Sequence, residues 1–349
     1  MLAKFAGKLV CMAFACASFA LGASLALAQP APAKVTLTLG SDGYWYLLHY
    51  ITEGAGLYKA EGISVEVVRF SSGSKIIASV LGGSADASMV NIGNSTLAIQ
   101  KGGDIATLAT LYTVMPFAVV LSNEALKKTG INTAMPLDER IRHLKGLRIA
   151  TTGPGSGTDQ FIRTLFVARG MDPDKEVTLQ TLGDGGTMLA AMDVKAIDGF
   201  VLGAPTTNQA VQKNLGKIAI SGISGEVPEF NGLTYLGLIA SREAIEKKRP
   251  VLLAMVRALT RGIKFAKENP AEARRIARAH FSDLDDTIFN ETYTEHIKGV
   301  PESPVLSSQQ YEQTLKAYFL GTKTQLTVPY EKAVFSDFAK QADKDILHR

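Results

Sequence analysis

Cysteine is scarce in this chain of 349 residues, and its two cysteines, Cys11 and Cys16, lie near its start. Both precede Ala28, after which we expect a leader to be removed. A mature chain without cysteine has no disulfide, no thiolate nucleophile and no cysteine-based metal site. Its fold must then be stabilised by a hydrophobic core, which a chain with 46% hydrophobic residues is able to form.

Catalytic signatures are also missing. The five histidines are scattered without the HExxH spacing of a zinc enzyme, and there is no GxSxG nucleophile motif or Walker A sequence. The glycine-rich run "GPGSGT" at 153–158 has Thr158 where the last glycine of a dinucleotide-binding loop belongs. We therefore predict no catalytic residue, no metal and no cofactor, and we interpret His49 as a packed helix residue rather than a base.

Neither sign of charge is in large excess. The chain has 37 Lys and Arg against 33 Asp and Glu, a net charge of +4. Loss of Lys4 and Lys8 with the leader would leave 4 − 2, or +2. This balance gives no reason to expect binding to nucleic acid or to a membrane surface. Beyond the leader, no stretch is long and apolar enough to span a bilayer.

The first 28 residues have the organisation of a secretory signal peptide. Two lysines precede an apolar run over 9–27, and the small-x-small sequence "ALA" stands before Gln29. A membrane anchor is the alternative, since the run approaches the length of a span. A lipoprotein at Cys16 is disfavoured because Phe14 stands where a small residue is expected. The small residues favour cleavage after Ala28 and a periplasmic location.

Short apolar strands alternate with small-residue loops and helices through the first two thirds of the chain. Predicted strands cover 34–40, 63–70 and 85–93, and a second series covers 146–153, 176–183 and 196–205. Such alternation predicts βαβ units, a mainly parallel sheet and an α/β fold.

The two series superimpose when the sequence is shifted by 112 residues. Asp86 then falls on Asp198, and residues 90–93 fall on 202–205, with no gap between 70 and 98. The offset predicts two similar α/β lobes.

The last third of the chain is predicted to be helical. Apolar residues at 252, 256, 259, 263 and 266 are spaced to form one buried helix face, and Asn269 and Pro270 end that helix. Two further amphipathic helices are predicted, one within 307–320 and one within 329–347.

The loops after the predicted strands carry the candidate ligand-binding residues. Such loops meet at the carboxyl edge of a parallel sheet, where open α/β folds bind ligands, and they open helices whose free N–H groups suit an anion or a carbonyl. Helix capping is the alternative role for their small polar residues. Two aromatic residues, Tyr44 and Trp45, are candidates for a wall of the site, and packing against the body of the helix is the alternative role for each. The complete candidate set is Tyr44, Trp45, Ser72, Gly73, Ser74, Asn94, Ser95, Gly155, Ser156, Thr158, Asp184, Pro205 and Thr206.

Three segments in order, "GLYKAEGISVEVVRFSSGSKIIASVLGGSADASMV", "HLKGLRIATTGPGSGTDQFIRTLFVARGMDPDKEVTL" and "KRPVLLAMVRALTRGIKFAKENPAEARRIA", resemble the periplasmic substrate-binding proteins of the nitrate, sulfonate and taurine ABC-transporter family. The resemblance covers nearly all of the mature chain. It implies a type II periplasmic-binding-protein fold, with lobe one at 34–116 plus 237–349 and lobe two at 117–236. The crossovers "TVMPFAV" and "TYLGLIA" would form the hinge.

The resemblance also implies partners and a ligand. A monomer would capture a small molecule and deliver it to an inner-membrane ABC permease with its ATPase. Helix N-termini, hydroxyls and Lys75 favour a small organic anion, a sulfonate or carboxylate, and the aromatic residues allow an aromatic one. Two alternatives remain open: a neutral heterocycle such as a thiamine pyrimidine precursor, and a sensing role that feeds a receptor.

Two further points limit what the resemblance implies. Many members of the family have a glutamate where this chain has Ala204, so the specificity of such relatives does not carry over. Pyrimidine synthases that resemble the family in fold carry a cysteine-rich motif, which the mature chain cannot have, and an enzyme is therefore not expected.

Overall fold

The computed structural model describes residues 31–70 and 73–348. The predicted signal peptide at 1–28 and the candidate residue Ser72 lie outside this part of the chain. From Pro32 onward the chain belongs to one structural unit. Its β-strands are β1 (Ala33–Leu39), β2 (Ile63–Arg69), β3 (Ala87–Asn91), β4 (Ile105–Tyr112), β5 (Phe117–Ser122), β6 (Arg148–Thr151), β7 (Thr178–Thr181), β8 (Gly199–Gly203), β9 (Gly216–Ser221) and β10 (Leu236–Ser241).

The strands form two five-stranded sheets of the same design. The first has the order β2-β1-β3-β10-β4, and the second has the order β7-β6-β8-β5-β9. In each sheet the first three strands are parallel, and the strand beside them, β10 or β5, runs antiparallel to both of its neighbours. The predicted α/β class is confirmed, with one antiparallel strand within each sheet.

Helices follow most strands, as the alternation of the sequence predicts. They are α1 (Leu47–Gly54), α2 (Leu57–Ala60), α3 (Gly73–Leu81), α4 (Ile92–Gln100), α5 (Asn123–Thr129), α6 (Leu137–Arg142), α7 (Gly157–Val167), α8 (Pro173–Glu176), α9 (Gly185–Asp193), α10 (Thr206–Gln212), α11 (Arg242–Lys247), α12 (Arg249–Glu268), α13 (Pro270–His280), α14 (Asp286–His296), α15 (Ser308–Thr322), α16 (Tyr330–Ala333) and α17 (Asp337–Ile346). A single 3₁₀ turn, Tyr44–Tyr46, precedes α1.

The 112-residue offset corresponds to a repeated hydrogen bond. Oδ2 of Asp86 accepts from the backbone N–H of Thr36 at 2.8 Å, and Oδ2 of Asp198 accepts from that of Arg148 at 2.8 Å. Both residue pairs differ by the same offset of 112, as do the bounds of α3 and α9. In each sheet the carboxylate precedes one strand, β3 or β8, and accepts from the backbone of its neighbour, β1 or β6. The two halves therefore share this local structure.

The chain passes between the sheets twice, at the places that the sequence analysis identified as crossovers. The link from β4 to β5 spans 113–116, and β10 returns to the first sheet after the segment 222–235. The two crossovers lie together, since the N–H of Tyr235 donates to the carbonyl of Tyr112 at 2.8 Å.

The helical prediction for the last third of the chain is confirmed, with one correction. The five predicted apolar positions of α12 are all buried, and α12 ends before Pro270. The prediction of a single helix within 329–347 is wrong, because residues 334–336, between α16 and α17, are not helical. There Val334 forms a parallel bridge to Thr107 of β4, and the N–H of Phe335 donates to the carbonyl of Thr107. The segment between the two helices therefore covers β4, the edge strand of the first sheet.

Within residues 31–70 and 73–348, no helix combines the length and the apolar character that a bilayer span requires.

Candidate functional site

A cavity of about 720 Å³ lies where the carboxyl ends of the parallel strands of both sheets face each other. The wall includes residues that follow each of the six predicted strands, either in the connecting loop or in the first turn of the next helix. Ligand cavities in proteins typically occupy about 300 to 1,000 Å³. The candidate residues on the wall are Trp45, Gly73, Ser74, Asn94, Gly155, Ser156, Thr158, Asp184 and Thr206.

Three described candidates lie elsewhere. The ring of Tyr44 is fully buried and stacks on Phe281, with 3.9 Å between ring centroids. Ser95 is buried in α4, where its hydroxyl donates to the carbonyl of Ile92 at 2.9 Å. Pro205 lies in the wall of a separate cavity of about 140 Å³. The Ser95 side chain neither faces the cavity nor caps a helix, because its hydroxyl is bonded within α4.

Trp45 separates the cavity from the core and touches both halves of the protein. Its ring lies edge-on to Phe117, with 5.7 Å between centroids, and only 7% of the residue is exposed. A Cβ on Gly203, the last residue of β8, would stand 2.6 Å from the Trp45 ring and 2.8 Å from the carbonyl oxygen of Pro116. A tryptophan at this position therefore requires a glycine at 203.

Gly203→Ala should consequently lower the free energy of unfolding by about 1 to 3 kcal/mol, because the backbone oxygen of Pro116 cannot move away from the added methyl. Urea unfolding followed by Trp45 fluorescence measures the change. Gly186→Ala is the matched control: its Cβ would meet the exposed side chain of Asp184 at 3.3 Å, and alanine favours a helix. Equal stability of the two variants would contradict the assignment of Gly203.

Three hydroxyl groups form a cluster beside the N-terminus of α7. The hydroxyl of Thr158 accepts from the backbone N–H of Thr152 and lies 2.9 Å from the hydroxyls of Thr152 and Ser156. The hydroxyl of Ser156 also accepts from the backbone N–H of Asp159 at 3.3 Å. A hydroxyl has one hydrogen and two lone pairs. Thr158 cannot accept three hydrogen bonds, so it donates to one neighbour, and the other neighbour donates to it.

This count leaves one hydroxyl hydrogen available to the cavity, from either Ser156 or Thr152. Of the backbone N–H groups in the first turn of α7, those of Asp159 and Gln160 donate to Ser156, which leaves those of Gly157 and Thr158 at the positive end of the helix dipole. This part of the wall is accordingly suited to a ligand atom that accepts hydrogen bonds.

Carboxylates form another part of the wall. Asp184 caps α9 by accepting from the backbone N–H and the hydroxyl of Thr187, and these bonds lower the pKa of its carboxyl. Asp42 accepts from the hydroxyl of Tyr50 at 2.8 Å and pairs with Arg69 at 2.6 Å. The side chain of His280, followed by Tyr50 and Arg69, lowers the pKa of Asp42 to about 2. Both carboxylates are therefore charged at neutral pH.

Positive charge is sparse at the cavity. Within the described part of the chain, its wall contains Lys101 but no arginine or histidine. Lys75, which the sequence analysis used to favour an anion, lies in α3 on the exposed surface and outside the wall. Recognition of an anion here would depend on hydroxyls, amides and helix N-termini.

Two buried histidines, His49 and His296, lie outside the cavity wall. Nδ1 of His49 lies 3.0 Å from the hydroxyl of Tyr58, and Nδ1 of His296 lies 2.8 Å from that of Tyr112. Both histidines are buried, and burial lowers the pKa of each to about 3. The interpretation of His49 as a packed helix residue is confirmed. Among the described residues, no group of His, Cys, Asp and Glu is arranged to hold a metal ion.

Residues of the crossovers line the cavity but were not among the candidates. Phe117 and Tyr235 contribute aromatic surface, with ring centroids 5.4 Å apart at nearly a right angle. Tyr46 is also on the wall, and its hydroxyl accepts from the backbone N–H of Gly40 at 2.8 Å. The signal was present in the sequence, because Phe117 and Tyr235 belong to the two segments identified as crossovers.

The fold is shared with several solved structures. A protein from Bordetella bronchiseptica RB50 is 23% identical, has a TM-score of 0.74, and aligns over 90% of this chain and 98% of its own. The alkanesulfonate-binding protein SsuA from Xanthomonas axonopodis pv. citri is 16% identical with a TM-score of 0.63, over 89% and 98% of the two chains. The nitrate-binding protein NrtA from Synechocystis PCC 6803 is 17% identical with a TM-score of 0.64, and the alignment covers 90% of this chain and 89% of that protein. At these identities the likeness establishes the periplasmic-binding-protein fold.

Sequence similarity to curated proteins is more local. The nitrate/nitrite binding protein NrtA of Nostoc sp. is 34% identical over 83 residues, which are 24% of this chain and 18% of that protein. The nitrate import ATP-binding protein NrtC of Synechocystis sp. is 25% identical over 154 residues, 43% of this chain and 22% of that protein. The matches thus span about a fifth of the length of each curated relative.

The family assignment rests on a longer match. The model of the NMT1-like family matches residues 28–280, a range that includes both sheets and every loop around the cavity. Together with the fold shared with nitrate- and sulfonate-binding proteins, this match establishes that the chain belongs to the NMT1-like family.

Proposed function

We propose that this protein is a periplasmic solute-binding protein of an ABC importer and that the cavity between its two sheets holds a small organic anion. The observation that carries this proposal is the convergence of residues that follow all six predicted strands on one cavity of about 720 Å³. The protein acts by binding and release, without a catalytic residue, and it needs no cofactor.

The two halves act as lobes that close on the ligand. Lobe one comprises 34–116 and 237–349, lobe two comprises 117–236, and the crossovers next to Phe117 and Tyr235 are the hinge. Support comes from the sheets, since each crossover leaves one sheet and delivers the next strand to the other. Hinge closure around a ligand is an established type of domain motion.

The ligand is a sulfonate or carboxylate with an apolar body, for which the wall accommodates an aromatic ring. The donors beside α7 suit its oxygen atoms, while Trp45, Tyr46, Phe117 and Tyr235 supply an aromatic wall. An inorganic anion as small as nitrate would leave most of the cavity unfilled.

A neutral heterocycle, such as a thiamine pyrimidine precursor, is the second candidate. It is favoured by the carboxylate of Asp184, which no Lys or Arg pairs with among the described residues, and by the sparse positive charge of the cavity wall; the charge of Asp42 is offset by Arg69. A ring that both accepts and donates hydrogen bonds would pair with the hydroxyl cluster at one end and with a carboxylate at the other.

The partners follow from the same proposal. The loaded monomer would dock on an inner-membrane permease that is driven by an ATPase. A sensing role differs only in the receiving protein, which a copurification experiment with membrane components would identify.

The proposal is tested by thermal unfolding of residues 29–349 with aromatic and aliphatic sulfonates, carboxylates, taurine, nitrate and pyrimidines. At about 100 times its dissociation constant, a true ligand adds roughly 2.7 kcal/mol of stability, enough to raise Tm by several degrees. Trp45 fluorescence should change with the same compounds, because the ring forms part of the wall. Stabilisation by pyrimidines alone would establish the second candidate, and silence across the panel would reject both ligand classes.

A further inference from the structure

A hydrogen bond between two side chains joins the halves of the protein at the cavity wall. Asn94 lies in α4, which follows β3 of the first sheet, and Gln160 lies in α7, which follows β6 of the second sheet. Nε2 of Gln160 donates to Oδ1 of Asn94 at 3.0 Å and to the carbonyl oxygen of Gly155 at 2.9 Å. We propose that Gln160 is a positioning residue that holds the amide of Asn94 with its NH₂ group directed into the cavity.

The direction of these bonds follows from their partners. A backbone carbonyl can only accept, so the group that Gln160 presents to Gly155 must be its NH₂. The second hydrogen of that NH₂ then requires an acceptor, and Asn94 must present its oxygen. Nδ2 of Asn94 therefore faces the opposite way, toward α3: a Cβ placed on Gly73, another wall residue, would lie 3.4 Å from it.

Gln160 is buried and closely packed, so it can hold the Asn94 amide in this orientation. Only 6% of the residue is exposed, and its carbonyl accepts from the hydroxyl of Thr164 at 2.8 Å. Helix α15 packs closely over it, because a Cβ on Gly321 would stand 2.7 Å from the same carbonyl oxygen. On the other side, the backbone N–H of Asn94 donates to Oδ1 of Asn91, the cap of α4, at 3.1 Å.

The orientation determines the ligand chemistry at this end of the cavity. The Asn94 NH₂ and the free hydroxyl hydrogen of Ser156 or Thr152 are both donors; the first lies in α4, beside the first sheet, and the second lies in the loop between β6 and α7, beside the second sheet. A ligand group that accepts from both, such as a sulfonate, carboxylate or ring carbonyl, bridges the two halves. A ligand with a donor in that place would face unpaired hydrogens instead. This step rests on the proposed function, because it assigns the cavity to a ligand.

The positioning role can be tested without a ligand. In the wild-type protein, a nuclear Overhauser effect should connect the Nδ2 hydrogens of Asn94 with the α-hydrogens of Gly73. Gln160→Met removes the donor at similar side-chain length and should abolish this signal, because the freed amide rotates. Gln212→Met, at an exposed position of α10 outside the wall, should leave it intact. Absence of the signal in the wild type, or its persistence in Gln160→Met, would overturn the proposal.

The ligand preference is tested by calorimetric titration with benzenesulfonate, whose head group accepts, and benzamidine, whose head group donates. The wild type should prefer benzenesulfonate. Asn94→Asp keeps an oxygen for Gln160 but turns an acceptor toward the cavity, so it should weaken benzenesulfonate binding by about tenfold or more. Gln160→Met should weaken it by about three- to tenfold, since the donor is kept but no longer held in place. Gln212→Met should bind as the wild type does.

The two experiments separate the two ideas. If the wild type binds benzenesulfonate and both Asn94→Asp and Gln160→Met bind it equally well, the inference is wrong while the proposed function stands. If the Overhauser signal depends on Gln160 but neither probe binds, the positioning role is supported and the aromatic-anion assignment is rejected. A wild type that prefers benzamidine would overturn the donor assignment itself.

Discussion

Between pH 7 and pH 5 the free energy of unfolding should fall by about 4 kcal/mol, half of it from each of two buried histidines. Burial lowers the pKa of His49 and His296 from 6.5 to about 3. The unfolded chain therefore binds two protons in this range that the folded protein does not. The size of the effect at pH 5 depends on the unfolded value alone, because both folded values lie well below 5.

The sign of the change follows from which state carries the protons. The folded state holds both histidines neutral, so its advantage is complete above pH 6.5 and is lost as the pH falls toward 3. Asp42 adds to acid sensitivity only below about pH 4, because its folded pKa is lowered to about 2. Glu295 opposes the trend, since burial raises the pKa of its carboxyl.

Urea unfolding at pH 7, 6 and 5 measures this dependence. His49→Gln and His296→Gln should each remove about half of the slope, because glutamine does not titrate. His143→Gln is the control, since His143 is exposed on the surface. A wild-type stability that stays flat from pH 7 to pH 5 would mean that the two buried histidines are charged or accessible to water.

Tyr44→Ala should lower the free energy of unfolding by about 3 to 5 kcal/mol, as is typical when a large buried aromatic side chain is removed. Tyr44 is fully buried, stacks on Phe281 and lies 5.0 Å from the ring of His296. Chemical unfolding at pH 7, with tryptophan fluorescence as the signal, measures the loss.

Tyr44→Phe separates packing from hydrogen bonding. The Tyr44 hydroxyl is buried without a hydrogen-bond partner, so its removal should leave stability unchanged or raise it slightly. Neither variant should change the ligand contacts directly, because Tyr44 is outside the cavity wall. If a folded Tyr44→Phe protein bound the ligand of the cavity more weakly than the wild type, Tyr44 would contribute to binding, as the sequence analysis expected.

The positions of the binding loops could be predicted from the sequence, whereas the direction of individual side chains could not. Alternation of strands and helices places a loop after each strand, and this rule located Asn94, Ser156 and Thr206 on the wall. In the turn before α1, however, Tyr44 and Trp45 are adjacent and point to different environments. Only the packing of Phe281 against one and Gly203 against the other distinguishes them.

Contacts between distant segments were likewise beyond the sequence pattern. Helical periodicity over 329–347 is real, but the bridge between Val334 and Thr107 interrupts the helix, and no local signal encodes that partner. The hydrogen bond of Gln160 to Asn94 connects α7 with α4, which follow strands of different sheets, and the pattern of a single helix gives no information about it.

The exchange of strands between the sheets has a consequence for the order of folding. The second sheet, β5 to β9, comes from one continuous stretch, 117–221, whereas the first sheet needs β10 from beyond that stretch. A chain that is synthesised from its N-terminus therefore presents four strands of the first sheet that must wait for a fifth. The half that begins later is the first that can be completed, and closing the long loop to β10 is the slow, entropically costly step.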